Sequence, residues 1–265
     1  MTAHPKVSIV TVNFNMAQDL LATLDSVLGQ DYSNLESIVI DGGSTDGSRD
    51  IITTYSSRLT HWASEPDRNL YDGMNKGVAA ATGEWVLFMN SGDRFASKSV
   101  VSEMFREDHA AADILYGDCI RIYPDRNISR AIRAERPSVL PLRMHCSHQS
   151  LFMRRDVLLN RPFAMECLAA DYDLILSAYM SGKRFKYITC LVSVAAAGGR
   201  SDQNRLMMLR QRMAILHRHG LLSLGVRLHY VWLMVRVIIA GALKAVFPKQ
   251  VTDFVLRHRS IKGLG

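Results

Sequence analysis

Residues 84–93 read Glu-Trp-Val-Leu-Phe-Met-Asn-Ser-Gly-Asp, an apolar run that ends abruptly in a small polar turn. The run is too short to cross a membrane and is rich in strand-forming residues, which predicts a buried β-strand. In open α/β sheets, ligands bind in the crevice at the carboxyl ends of the strands. Asp93, at the exit of this strand, offers a hard oxygen ligand that suits Mg²⁺ or Mn²⁺. Taken alone, Asn-Ser-Gly-Asp is also a common turn sequence.

Strand and helix patterns alternate outward from this run, which predicts an α/β fold with a mostly parallel central sheet flanked by helices. Residues 7–12 form a β-branched run, and a helical pattern with one apolar face follows at residues 20–28. A second strand at residues 35–40 ends at Asp41 and leads into the glycine-rich turn 42–47. Because glycine lacks a side chain, this turn lets a ligand approach the backbone closely.

The 265 residues are 48% hydrophobic, which is enough for one large α/β domain and a modest appendage. Residues 183–265 hold 15 of the 32 Lys and Arg but only two of the 25 Asp and Glu. Long apolar stretches interrupt this basic segment, which favours an anionic membrane surface over nucleic acid as its partner. We therefore expect a globular domain at residues 1–220 and a basic, apolar helical tail at residues 221–265.

Within the tail, the 16 residues between Arg227 and Lys244 include Arg236. Their length and charge disfavour a helix that spans a membrane and favour an amphipathic helix in the interface. The alternative is a helix that packs on the globular domain or on a dimer partner. No apolar signal core precedes the first strand, so we expect a cytoplasmic protein, peripheral on the inner face of the cell membrane.

Other charged residues stand at the ends of predicted elements. Asp41 is an acceptor-only group that suits a hydrogen bond from a nucleobase or ribose, although an ordinary turn Asp is the alternative. Asp171 stands at the start of a predicted helix, where it can also serve as a cap, with Asp173 in the first turn. Lys76 either meets a phosphate or lies on a solvated helix face.

These segments, in this order, resemble the inverting glycosyltransferase family 2, whose nucleotide-sugar-binding sheet is called the GT-A fold. The resemblance covers about residues 6–215 and looks similar to the cytoplasmic enzymes that extend lipid-linked bacterial exopolysaccharide units, including the colanic-acid type. The segments that carry it are Val-Ser-Ile-Val-Thr-Val-Asn-Phe-Asn (7–15), Asp-Gly-Gly-Ser-Thr-Asp-Gly (41–47), Glu-Pro-Asp (65–67), Tyr-Asp-Gly-Met-Asn-Lys-Gly (71–77), Asn-Ser-Gly-Asp (90–93), His-Gln-Ser-Leu-Phe-Met-Arg-Arg (148–155), Ala-Asp-Tyr-Asp-Leu (170–174) and Gly-Gly-Arg-Ser (198–201).

The resemblance implies a donor site and a divalent metal, Mg²⁺ or Mn²⁺, held by Asp93. Many members have Asp-x-Asp-Asp where this chain has Asn-Ser-Gly-Asp at residues 90–93, so one protein charge remains. We therefore expect the metal to bind weakly when nucleotide is absent. Metal and nucleotide should bind as one unit. The resemblance implies that Asp41 contacts the base of the donor nucleotide. The other residues implied in binding this nucleotide are Val12, Asn13, Asn15, Lys76 and Asn90.

The resemblance also implies that Asp171 is the catalytic base, which deprotonates the acceptor hydroxyl as that oxygen attacks the anomeric carbon. Asp171 takes the position of the second acid in the common Glu-Asp motif, where Ala170 replaces Glu, and Asp173 is the competing candidate. The resemblance further implies that His148 and Gln149 lie on a segment that faces the acceptor or the diphosphate. The Gln-x-x-Arg-Trp motif of processive polymerases does not occur, so we expect one sugar to be added per encounter.

We therefore expect an inverting, metal-dependent glycosyltransferase. It would move one hexosyl or related sugar from a nucleotide-sugar donor to a lipid-diphosphate-linked glycan in bacterial exopolysaccharide or surface polysaccharide synthesis. The lost acids of the metal site leave an alternative open: a non-catalytic nucleotide- or glycan-binding partner of a polysaccharide assembly complex. A nucleotidyltransferase is disfavoured, because the chain lacks the Gly-rich, Arg- and Lys-bearing N-terminal loop of that class.

Overall fold

The computed structural model describes residues 4–123 and 128–246, which belong to two compact units. The first unit, Met1–Asp202, contains the sheet, and the second, Gln203–Gly265, is helical in its described part. The domain boundary expected near residue 220 falls inside the second unit, between its two long helices. The part of the predicted tail beyond residue 246 lies outside the described residues.

A nine-stranded sheet organises the first unit. Its strands in chain order are β1 Val7–Asn13, β2 Leu35–Asp41, β3 His61–Ser64, β4 Trp85–Phe88, β5 Arg94–Phe95, β6 Ile114–Tyr123, β7 Ile128–Ile132, β8 Leu151–Arg154 and β9 Phe185–Ala196. Their order in the sheet is β3-β2-β1-β4-β8-β6-β9-β5, and β7 pairs with β6. The helices are α1 Ala17–Leu28, α2 Ser48–Tyr55, α3 Leu70–Ala80, α4 Val100–Met104, α5 Arg155–Asn160, α6 Ala170–Met180, α7 Arg200–Gln203, α8 Arg205–Arg218 and α9 Leu224–Val246.

The sheet is parallel in one half and mixed in the other. Strands β3, β2, β1 and β4 run parallel, whereas β8 pairs antiparallel with both β4 and β6. The predicted α/β fold is confirmed. The expected parallel pairing holds throughout β3, β2, β1 and β4, whereas in the other half of the described sheet β6 and β9 are the pair that runs parallel. All seven residues of β1 are buried, as expected for a parallel strand covered on both faces.

The predicted strand within residues 84–93 is confirmed as β4, all four residues of which are buried. Trp85 packs edge-to-face on Phe105, and Phe105 packs edge-to-face on Phe152, with ring centroids 5.6 and 5.4 Å apart. Helix α3 lies close to β1, because a Cβ atom at Gly77 would stand only 2.2 Å from Cγ1 of Val10. Glycine at position 77 is therefore required for this helix to reach the strand.

The second unit contains the predicted apolar C-terminal helix, α9, which is 23 residues long. Its segment Leu224–Leu243 is long and apolar enough to cross a membrane, judged by length and composition only. The apolar stretch of 16 residues between Arg227 and Lys244 is shorter than this helix, because charged residues bound the stretch but do not end the helix. Its exposed large apolar side chains are Leu224, Leu228, Val231, Trp232, Val235, Ile238, Ile239 and Leu243.

A buried carboxylate, Glu36, ties together the amino ends of the parallel strands. It accepts hydrogen bonds from Ser8 Oγ and from Thr82 N, and it lies 2.8 Å from Lys6 Nζ. Burial raises the pKa of Glu36, but the hydrogen bonds from Lys6, Ser8 and Thr82 outweigh it and lower the pKa to about 2. The ionised form of Glu36 is therefore favoured by folding.

The lowered pKa of Glu36 predicts a pH dependence of stability. A group with a depressed folded pKa contributes stability above its unfolded pKa and loses it as the pH falls through the folded value. Between pH 5 and pH 2 we expect the wild-type protein to lose about 2–3 kcal/mol more unfolding free energy than Glu36→Gln. Urea unfolding at each pH measures the difference, with the exposed Glu107→Gln as control. Equal losses in wild type and Glu36→Gln would contradict the assignment.

Candidate active site

The buried side chain of Asn13 connects the carboxyl ends of three neighbouring segments. Its amide nitrogen donates to Oδ1 of Asp41 at 2.7 Å, and its amide oxygen accepts from Ser91 Oγ at 2.8 Å. Asn13 ends β1, Asp41 ends β2, and Ser91 lies in the turn that follows β4. One amide therefore fixes the edge of the sheet at which parallel strands place their ligands.

Asp41 is completely buried, and four protein donors use its carboxylate. Besides Asn13, these are Ser44 Oγ, Ser44 N at 3.0 Å and Ser64 Oγ at 2.7 Å. Burial raises the pKa of Asp41, but the hydrogen bonds from Ser44, Asn13 and Ser64 outweigh it and lower the pKa. In this arrangement Asp41 shapes the turn at residues 42–44, and its contact with a nucleobase stays a prediction.

Phe14 and Asn15 form the rim of the crevice after β1. Asn15 has a positive φ of 51°, and its side-chain oxygen accepts a hydrogen bond from Thr45 N at 2.8 Å. This reversal leaves Phe14 60% exposed, next to Gly42, where a Cβ atom would stand 3.3 Å from Phe14 Cδ2. The sequence-based site did not single out Phe14. The available signal was an aromatic residue between two asparagines at a strand exit.

Val12 and Lys76, both predicted at the donor site, are engaged by protein groups. Val12 is buried, and its Cγ1 would stand 2.7 Å from a Cβ atom at Gly73 of α3. The ammonium of Lys76 lies 2.6 Å from Asp67 and 2.9 Å from Glu65. The hydrogen bond with Asp67 is the main reason that the pKa of Lys76 rises to about 12. These contacts anchor α3, and a phosphate contact by Lys76 stays a prediction.

The turn after β4 presents Asp93 and Asn90. A hydrogen bond from Asp93 N to Asn90 O closes it at 2.9 Å, and Gly92 supplies the left-handed φ of 93° that other residues rarely adopt. Gln149 Nε2 donates to Oδ2 of Asp93 at 2.7 Å. Burial raises the pKa of Asp93, and the charge of His148 and the Gln149 hydrogen bond offset only part of that rise.

Asp171 lies in the first turn of α6 beside His148. Its Oδ1 accepts a hydrogen bond from Tyr172 N at 2.8 Å, and the hydroxyl of Tyr71 lies 3.4 Å from the same oxygen. The other oxygen, Oδ2, lies 3.7 Å from Nδ1 of His148. Asp171 and His148 also line a small cavity of about 20 Å³, with the apolar residues Met74, Phe88, Leu151, Met153, Phe163, Leu174 and Ile175.

Asp173, the competing base candidate, has a different environment. It is 6% exposed, and one of its oxygens lies 3.4 Å from Nη2 of Arg161. Two residues along a helix point in nearly opposite directions, so Asp173 does not share the surroundings of Asp171. The geometry favours Asp171 as the carboxylate that a substrate can approach.

The dipeptide His148–Gln149 connects Asp93 and Asp171. Gln149 is hydrogen-bonded to Asp93, and His148 lies beside Asp171. The dipeptide opens a 3₁₀ turn, His148–Ser150, which leads directly into β8. Because β8 pairs with β4 in antiparallel register, the start of β8 meets the exit of β4. The predicted acceptor-side and metal-side residues are therefore neighbours.

The residues around Asp93 fit a divalent cation that is shared with a ligand. Among residues 4–123 and 128–246, no three His, Cys, Asp or Glu side chains group as a closed metal site. Asp93 offers a carboxylate, and Oδ1 of Asn90 in the same turn is buried without a hydrogen-bond partner among the described residues. Magnesium-type ions are often held by one or two protein oxygens plus water and phosphate. The turn at residues 90–93 matches this kind of site.

A family model and several known proteins match this chain. A model of glycosyl transferase family 2 matches residues 8–161. An uncharacterized glycosyltransferase of Mycobacterium tuberculosis is 41% identical over 104 residues, 39% of this chain and 40% of the relative. A PGL/p-HBAD biosynthesis glycosyltransferase of Mycobacterium bovis is 32% identical over 158 residues, 58% of this chain and 60% of the relative. Each match spans less than two thirds of the relative.

Two solved structures share the fold. A mannosyltransferase from Pyrobaculum calidifontis, in complex with GDP-Man and Mn²⁺, has a TM-score of 0.64 at 18% identity, over 98% of this chain and 81% of its own. Residues 1–349 of TarS from S. aureus, in complex with UDP-GlcNAc, have a TM-score of 0.62 at 18% identity, over 80% of this chain and 66% of that one. At these identities the likeness shows the fold alone, and it confirms the predicted GT-A architecture.

Proposed function

The chain belongs to glycosyl transferase family 2, and we propose that it is an inverting enzyme that moves one sugar from a nucleotide-sugar donor to an acceptor hydroxyl. The observation that carries this proposal is the meeting of Asp93 and Asp171 at the dipeptide His148–Gln149. One carboxylate lies in the turn that would hold the donor diphosphate. The other lies where an acceptor can approach.

Asp171 acts as the general base in this proposal. Its Oδ1 is held by Tyr172 N, which leaves Oδ2 to accept the proton of the acceptor hydroxyl. As that proton leaves, the hydroxyl oxygen bonds to the anomeric carbon from the face opposite the nucleotide. The bond from this carbon to the diphosphate oxygen breaks, and the nucleoside diphosphate departs with the electron pair. Attack from the opposite face inverts the anomeric centre.

Asp93 anchors the leaving group in this proposal. It would hold a divalent cation, Mg²⁺ or Mn²⁺, together with the amide oxygen of Asn90. When bound, such a cation offsets the negative charge that grows on the departing diphosphate. Gln149 orients the carboxylate of Asp93 through its hydrogen bond, and Nε2 of His148, buried without a partner among the described residues, is available to an oxygen of the diphosphate or of the acceptor.

The nucleoside lies at the rim formed after β1 in this proposal. The exposed ring of Phe14 offers a flat apolar surface for a base, since aromatic rings stack favourably. Asn13 and Asn15 hold the turn at residues 42–45 in position, so that its backbone lies against the nucleotide. Asp41 stabilises this turn by accepting hydrogen bonds from Ser44. The base is that of a UDP-, GDP- or dTDP-linked sugar.

The acceptor proposed here is a lipid-diphosphate-linked glycan of exopolysaccharide or surface polysaccharide synthesis, reached from the cytoplasmic face of the membrane. Support comes from α9, which combines exposed apolar side chains with Arg227 and Arg236. The guanidinium of Arg236 lies 4.5 Å from the ring centre of Trp232. Trp and Arg together are typical of a helix in the membrane interface. We propose that residues 221–265 bind an anionic membrane and that residues 1–220 catalyse.

A donor panel tests the transferase function. The full-length chain is incubated with Mn²⁺, membranes that carry the native acceptor, and UDP-, GDP- or dTDP-linked sugars in turn. We expect release of nucleoside diphosphate from one donor and a product whose anomeric configuration is opposite to that of the donor. Donor binding without turnover would favour the non-catalytic binding partner, and release of pyrophosphate would favour a nucleotidyltransferase.

The base assignment predicts opposite behaviour of two neighbouring variants. Asp171→Asn removes the proton acceptor, so we expect transfer to fall by about 10²–10⁴-fold while the donor dissociation constant changes little. Asp173→Asn weakens the pairing with Arg161, so we expect a lower melting temperature with transfer largely retained. Initial rates and calorimetric donor titrations of both variants measure these effects. Full activity of Asp171→Asn with loss in Asp173→Asn would move the role to Asp173.

The membrane proposal predicts that a charge on the apolar face of α9 disrupts binding. Ile239 is 52% exposed, and Ile239→Glu places a carboxylate against the lipid surface. We expect co-sedimentation with anionic vesicles to fall about tenfold or more, because an acid near an anionic bilayer is repelled and costly to insert. Leu159→Glu, at a similarly exposed position of the first unit, is the matched control. Equal binding of wild type and Ile239→Glu would place the membrane surface elsewhere.

A further inference from the structure

Arg121, on β6, carries a charge that the proposed mechanism leaves unused. Strand β5 pairs with β9 so that Arg94 lies opposite Val194, and β9 pairs with β6 so that Ala195 lies opposite Arg121. Extending the β5 register by one residue places Asp93 opposite Ala195. Asp93 and Arg121 therefore stand in one cross-strand row, on either side of Ala195.

The small side chain of Ala195 leaves room between these two charged groups. Residues opposite each other on neighbouring strands share a face of the sheet, and the backbones two strands apart are separated by about 10 Å. A long arginine side chain covers most of this distance. Consistent with this, burial raises the pKa of Asp93 and the charge of Arg121 offsets part of the rise.

The guanidinium of Arg121 is only partly satisfied. Its Nη2 lies 2.5 Å from Oδ2 of Asp202, whereas its Nε is buried and has no hydrogen-bond partner among the described residues. The same Asp202 oxygen accepts a hydrogen bond from Gly198 N at 2.9 Å. Both charged side chains are 38% exposed, and an ion pair at that exposure is weak. A carboxylate thus occupies a donor set that also matches phosphate oxygens.

We propose that Arg121 binds the diphosphate of the donor beside Asp93, and that Asp202 holds the guanidinium in position until the diphosphate displaces it. The inference rests on the proposed nucleotide-sugar function. A donor diphosphate carries two negative charges, Asp93 adds one, and a divalent cation supplies two positive charges. Arg121 supplies the remaining positive charge. The site then reaches neutrality, which lowers the cost of taking these charges out of water.

Two substitutions test whether the diphosphate displaces Asp202 from Arg121, because they should change the affinity for the diphosphate in opposite directions. R121Q removes the cation, so we expect the dissociation constants of UDP, GDP or dTDP with Mn²⁺ to rise about tenfold or more. D202N removes the competing charge and still accepts from Gly198 N, so we expect tighter diphosphate binding by several-fold. Titration calorimetry measures both. The double variant should match R121Q, because D202N has no effect once Arg121 is lost.

The control is R143Q, at another partly exposed arginine that pairs with Glu135, and it should bind like wild type. If the Arg121–Asp202 pair only pinned the segment after β9, R121Q and D202N would both lower the melting temperature and neither would tighten binding. That result, or unchanged binding in R121Q, would overturn the inference. Tighter diphosphate binding by D202N would support the inference even if R121Q does not fold. Wild-type protein that binds no diphosphate would overturn the proposed function and this inference with it.

Discussion

The hydrogen bonds of the buried Asn13 amide are the constraint on which the site depends. They join the ends of β1 and β2 to the turn after β4, and each partner left unpaired in this interior would cost about 1–3 kcal/mol. The edge of the sheet therefore has one favourable arrangement. Asp93, at the end of that turn, is presented to the crevice on a rigid support, and Gln149 then fixes its carboxylate from the other side.

Local pattern was sufficient to predict the buried strand β4, because a short apolar run specifies it. The resemblance to the family suggested that Asp93 and Asp171 serve one site; the structure places both beside the dipeptide His148–Gln149, and their roles stay predictions. Three features depend on contacts between distant segments and were not predictable in this way. Four donors saturate Asp41, two acids hold Lys76, and the β5–β9–β6 register brings Arg121 into the row of Asp93. Each follows from tertiary pairing that no single stretch of sequence specifies.

The turn at residues 90–93 contains a single acidic residue, Asp93, and this limits how the proposed site can hold a metal ion. With Asn90 and Gly92 in place of acids, Asp93 is the only charged side chain of the turn. Burial raises the pKa of Asp93, and the charge of His148, the hydrogen bond from Gln149 and the charge of Arg121 offset only part of that rise. A cation alone would gain little from one carboxylate, and a diphosphate alone would meet it with repulsion. In this account the two bind as a unit, with Arg121 balancing the last charge.

Calorimetry shows whether metal and nucleotide bind to Asp93 as a unit. The full-length chain is titrated with Mn²⁺ alone, and with the nucleoside diphosphate selected by the donor panel in the presence of Mn²⁺ or of a chelator. We expect weak binding of Mn²⁺ alone and diphosphate binding that is about tenfold or more tighter with Mn²⁺. This metal dependence should be lost in Asp93→Ala. Tight Mn²⁺ binding without nucleotide, or diphosphate binding that is unchanged by the chelator, would contradict it.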